Sequence, residues 1–182
     1  MKAFVDAAGG SEANILVITW ATQEPTDRFR TISEDLSPFH PKNIVHAHQN
    51  LDTELYRRDF IFQLRHATGV FFSGGSQLAI MKQLQDPQIM NMIKQDYFSG
   101  RIVVGGTSAG TAVMSPVMFT GNDPEYYAEG LGLLPSLLLD SHFIVRSSRN
   151  QRLLEAVRIH PQLLGLGVAE DCAIEITSGN LV

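Results

Sequence analysis

The sequence predicts an α/β fold of three layers, with helices on both faces of a mostly parallel central sheet. Short β-branched runs alternate with amphipathic stretches along most of the chain. Those runs are apolar at consecutive rather than alternate positions, as strands covered on both faces must be. The length of 182 residues, with 44% hydrophobic and 18% charged, is enough for a hydrophobic core and too apolar for a disordered chain. The chain is read as one domain, residues 1–182.

The elements follow in order. Ile15-Leu16-Val17-Ile18 is a buried strand, bounded by polar residues. Residues 25–36 carry Phe29, Ile32 and Leu36 at helical spacing, and Ile44-Val45 marks the next strand. A helix over 53–66, a strand over 69–73 and helices over 76–85 and 87–97 continue the alternation. Asp86-Pro87 separates the last two, an acid at the capping position before proline at the first helical one. Arg101-Ile102-Val103-Val104 is the following strand. Residues 116–132 are the least regular, with Gly121-Asn122-Asp123-Pro124 as a turn, and a long irregular connection in a compact domain is often functional. A strand-like run at Leu137-Leu138-Leu139, a helix over 152–159 and a last strand over 172–176 complete the reading.

Composition removes several classes of function. A formal charge of −5 without a basic run leaves no electrostatic footprint for nucleic acid. The one cysteine, Cys172, cannot form an internal disulfide and reads as a buried apolar filler. No Cys/His set has zinc-ligand spacing, so neither metal nor cofactor is expected. Asp6 interrupts the stretch a signal peptide would need, and apolar runs such as 131–139 are too short to span a bilayer. The expectation is a soluble cytoplasmic protein without a membrane partner.

The chemistry concentrates at Gly105-Gly106-Thr107-Ser108-Ala109-Gly110. Gly106-x-Ser108-x-Gly110 follows a β-branched strand and precedes Ala112-Val113-Met114, which can start a helix, the context of a nucleophile elbow. Serine needs a base, and the base needs a third group to fix its tautomer. Among six histidines, His142 stands at the end of the apolar run from Leu137, whereas His40, His46, His48, His66 and His160 have no comparable setting. Asp123 and Glu125, in the loop between Ser108 and His142, are the candidate acids. A second glycine turn, Ser73-Gly74-Gly75-Ser76-Gln77, also follows a strand, and the N–H groups of Gly75 and Ala109 are the candidate oxyanion donors.

These segments, together with Ala7-Ala8-Gly9-Gly10, Gly130-Leu131-Gly132-Leu133-Leu134-Pro135, Asp140-Ser141-His142-Phe143 and Glu170-Asp171-Cys172-Ala173, occur in the order seen in cyanophycinases and peptidase E-type aspartyl dipeptidases, which the chain resembles over nearly its whole length. The resemblance implies a class I glutamine amidotransferase-like fold, a metal-free Ser–His–acid mechanism, and a homodimer. It makes Ser108 the nucleophile and His142 the base. Asn122-Asp123 resembles the peptidase E acid, and Glu125 fits the cyanophycinase acid with one residue deleted nearby; Asp123 is preferred. It further implies substrate contacts from Gln77, Asp140, Arg146, Arg149 and Arg152, the arginine forks suiting carboxylates of a small acidic peptide or an aspartate–arginine polymer. The departures are Gly-Gly-Ser-Gln for Gly-Gly-Asp-Gln, Asp-Ser-His-Phe for Asp-Gln-His-Phe, an extra residue between arginines, and Cys172 for threonine. Relative to the family the chain reads as shortened at both ends.

Overall fold

The computed structural model describes residues 1–120, 127–144, 148–177 and 180–181; Asp123, Glu125 and Arg146 lie outside them. The chain divides into two compact units, Met1–Gly110 and Thr111–Val182.

In the first unit the elements are α1 (Lys2–Ala7), β1 (Asn14–Ile18), α2 (Pro25–Leu36), β2 (Asn43–His46), α3 (Glu54–His66), β3 (Gly69–Phe72), α4 (Gln77–Gln83), α5 (Pro87–Phe98) and β4 (Val103–Gly106), and α6 (Ala109–Ala112) straddles the division. The four strands form one parallel sheet in the order β2-β1-β3-β4. Ile15 and Val17 pack with Phe71 against Val5 and Ala8 at α1 and against Ile32 and Leu36 of α2. Their neighbours of opposite parity, Leu16 and Ile18, are just as buried, so the other face is covered too. The expected α/β architecture with a parallel sheet is therefore present.

Local chemistry sets the helix boundaries. Thr53 caps α3 by accepting from the N–H of Tyr56 at 3.2 Å, and Asp86 caps α5 by accepting from Gln88 at 2.9 Å, with Pro87 at the first helical position. Helix α1 was not among the predicted elements: six residues without a side-chain cap are unstable alone and depend on burying Val5 against the sheet. Strand β4 begins at Val103 rather than Arg101. Arg101 instead donates to the carbonyls of Leu64 and Ala67, each at 3.1 Å, and the N–H of Ile102 goes to Asp96.

The second unit holds the antiparallel pair β5 (Val117–Phe119) and β6 (Tyr127–Glu129), then β7 (Leu137–Ser141), α7 (Arg149–Ile159) and β8 (Leu164–Val168), and the antiparallel pair β9 (Ile176–Thr177) and β10 (Asn180–Leu181). Strands β7 and β8 pair in parallel, with Asp140 opposite Gly167 and Ser141 opposite Val168. Phe119, Leu138, Leu153, Ala156 and Leu163 form its core. Three expectations change here. Helix α7 starts at Arg149 rather than 152, because Arg149 and Leu153 both turn inward. Strand β8 was not foreseen, since its two glycines break the apolar run. Residues 172–175 form no strand, which leaves Cys172 exposed rather than buried. Among the described residues no helix is long and apolar enough to cross a membrane.

Candidate active site

In a parallel sheet ordered 2-1-3-4 the connections leave β1 and β3 in opposite directions, and ligands bind beyond the carboxyl ends of strands at such a switch point. The loops after β1, β3 and β4 meet there. Gly75 has φ +137°, and a Cβ on it would stand 2.1 Å from the carbonyl oxygen of Ala21; that carbonyl accepts the N–H of Ser76 at 2.8 Å. Gly74 lies against Ser108: a Cβ there would be 3.1 Å from the serine Cβ. Only glycine permits the approach at 75, and at 74 a larger residue would crowd the serine.

Ser108 itself, directly after β4, has φ +52°. A left-handed non-glycine residue costs on the order of 1–3 kcal/mol and persists where its surroundings hold it. Here the turn closes through the N–H of Gly110 onto the carbonyl of Thr107 at 2.9 Å, and a Cβ on Gly110 would come 2.2 Å from the carbonyl oxygen of Phe72. The second glycine of the G-x-S-x-G pattern is thus required by contact with β3. Helix α6 begins at Ala109, immediately after the serine rather than at Ala112, so the N–H of Ala109 lies in a first helical turn, where no intrahelical acceptor exists. Ser108 is partly buried and Ala109 buried.

The second unit pairs an imidazole with a carboxylate. His142 follows β7 and Glu170 follows β8, so parallel pairing delivers both at the carboxyl end of the same two strands. His142 Nδ1 and Glu170 Oε1 are 2.7 Å apart. A carboxylate only accepts, so Nδ1 carries the shared proton, and in the neutral ring Nε2 is the acceptor nitrogen. His142 also has a left-handed backbone, φ +58°. The next residue fixes it: the Phe143 N–H donates to the Val168 carbonyl at 3.1 Å, and its ring occupies the space where a Cβ on Gly167 would fall, 2.3 Å from Phe143 Cγ.

Three more predicted residues come together where α7 meets the same strand. Asp140 is 1% exposed and takes the guanidiniums of Arg149 and Arg152 from α7, with Arg152 Nε donating to Oδ2 at 2.7 Å. Arg152 also lies over the Phe119 ring, 4.2 Å from its centroid. Gln77 begins α4, one residue after Ser76, whose hydroxyl accepts from the N–H of Ala79 at 3.3 Å. The serine found where the family resemblance leads one to expect aspartate is therefore a helix cap, a role that both residues fill.

Sequence reasoning did not weigh Glu170 as a candidate acid. Glu170 was visible only as part of the segment Glu170-Asp171-Cys172-Ala173; its place beside His142 depends on strand β8. Asp123 and Glu125, the predicted acids, and Arg146 fall outside the described residues. Among the described residues no cluster of three or more His, Cys, Asp and Glu side chains could hold a metal ion.

The chain is 34% identical over 186 residues to a cyanophycinase of Geminocystis herdmanii, covering 96% of this chain and 67% of that protein. It is 33% identical over 193 residues to a cyanophycinase of Synechococcus elongatus, covering 100% of this chain and 59% of that one. The chain therefore spans about three fifths to two thirds of the length of these relatives. A crystal structure described as a putative peptidase E protein from Listeria monocytogenes superposes with a TM-score of 0.69 at 15% identity, covering 99% of this chain and 90% of that one, a likeness of fold. The model of peptidase family S51 matches residues 1–182 from end to end, and the chain belongs to that family.

Proposed function

We propose that this chain is a serine-type exopeptidase that hydrolyses aspartyl or isoaspartyl peptide bonds. The observation that carries the reading is the His142–Glu170 pair at 2.7 Å, which leaves Nε2 as a base, together with a serine held on a left-handed turn after a parallel strand. Ser108 Oγ attacks the substrate carbonyl while Nε2 of His142 takes its proton. Glu170 holds the imidazole tautomer and stabilises the imidazolium, the role the sequence assigned to Asp123 or Glu125. The N–H groups of Gly75 and Ala109 receive the developing oxyanion, each donor contributing about 3 kcal/mol to barrier lowering. His142 then protonates the leaving amine, and water regenerates the serine by the reverse sequence.

The substrate class rests on the cyanophycinase relatives and on charge. Two arginines meet one aspartate at β7, so that cluster keeps a positive excess which favours an acidic substrate. Arg146 and Gln77 complete the proposed binding set. A homodimer in the cytoplasm belongs to the same reading; the dimer rests on the resemblance and the compartment on the single cysteine, Cys172.

A fluorophosphonate probe should label the wild-type protein and leave folded Ser108→Ala unlabelled. A screen of the aspartate–arginine polymer against α-aspartyl dipeptides then separates a cyanophycinase-like enzyme from a peptidase E-like dipeptidase. Hydrolysis at the wild-type rate by Ser108→Ala would remove the nucleophile assignment; binding of both substrates without turnover would leave a non-catalytic binding protein on this fold.

A further inference from the structure

The geometry points to Asp140 as a positioning residue that acts through His142 and does not itself touch substrate, an inference that rests on the proposed role of His142. Its carboxylate is 1% exposed and turned onto two guanidiniums, of which Arg149 is itself buried at 7% exposed. Both arginines come from α7, so the carboxylate ties that helix to the last turn-ward residues of β7. Asp140 lies opposite Gly167 in the β7–β8 register, and Gly167 is where the Phe143 ring sits. His142 stands between these two fixed points, after Asp140 and before Phe143, in a left-handed conformation that needs support on both sides. On the far side Phe143 supplies it through Val168; on the near side the Arg149–Asp140–Arg152 cluster does.

A buried carboxylate with two arginines is costly to desolvate and weak as a source of stability, but such groups fix one geometry where packing alone would allow several. The geometry fixed here is the direction in which the imidazole leaves the strand. A displacement of about 1 Å at a reacting group costs about 10²-fold in rate.

The test is Asp140→Asn in the full chain, read in two ways. Kinetically, kcat should fall about 10²-fold while KM stays within about threefold of wild type. By nitrogen-15 NMR of the imidazole, the His142 signal should change from a single Nδ1–H tautomer to a mixture. Asparagine leaves two guanidiniums without a counter-charge, so Arg152→Gln, which keeps one arginine on the carboxylate, is the second variant and should move the His142 signal in the same direction. A raised KM with unchanged kcat and an unchanged His142 spectrum would overturn the inference and return Asp140 to substrate binding. If the wild-type protein neither labels nor turns over, the proposed function fails, and the His142 spectrum still decides whether Asp140 positions the imidazole.

Discussion

A serine hydroxyl is a weak nucleophile until an imidazole with the correct tautomer stands ready to take its proton. That places the greatest sensitivity at Glu170, the partner of His142 Nδ1. Glu170→Gln should lower kcat by on the order of 10³- to 10⁴-fold with the fold intact, because an amide can present its N–H to Nδ1 and reverse the tautomer; substrate turnover alongside the circular dichroism spectrum checks this. On the proposed assignment of Glu170 as the acid, Asp123→Asn and Glu125→Gln should each stay within about threefold of wild type. A second residue effect concerns stability. His46 is held below its ordinary 6.5 by burial, and Thr19 Oγ1 lies 2.7 Å from its Nε2. As pH falls the unfolded chain takes up this proton first, so the contribution is complete above about 6.5 and lost as pH drops through the depressed folded value. Melting temperatures measured downward from pH 6.5 should decline less steeply in His46→Gln than in wild type.

At the scale of elements, the strand-to-helix turn depends on one close approach. Gly110→Ala would set a Cβ 2.2 Å from the Phe72 carbonyl oxygen and should cost about 1–3 kcal/mol, followed in urea through the fluorescence of Trp20, the sole tryptophan. The sequence displayed β1 and β3 openly, because strands buried on both faces are continuous apolar runs, and the helices carry caps such as Thr53 and Asp86. Ser108 and His142 were legible for the same reason: each closes a recognisable run. Strand β8 was hidden by Gly165 and Gly167, which dilute its apolar signal. With β8 unseen, Glu170 had no place, and only the acids nearer in sequence were weighed. The glycines that obscured the strand sit at close tertiary contacts, Gly165 against the side chains of Val157 and Leu153 and Gly167 against the ring of Phe143. No periodicity reports such contacts.

Across the whole molecule, charge acts against the chemistry that the arginines favour. A formal net charge of −5 repels an acidic dipeptide at long range, and salt screens that repulsion. Raising ionic strength from about 0.01 to 0.15 M should increase kcat/KM for a dipeptide of net charge about −1 by a factor of about two, and leave a zwitterionic Asp-Arg dipeptide unchanged. A decrease for the acidic dipeptide would assign the dominant field to the arginines at β7. The same scale view bears on Gly167, which leaves room for an aromatic ring. One methyl group there would evict Phe143 and swing the neighbouring imidazole off its carboxylate, so Gly167→Ala should silence the enzyme with every reacting atom still in the chain. The reactive pair is guarded by a hollow one carbon deep.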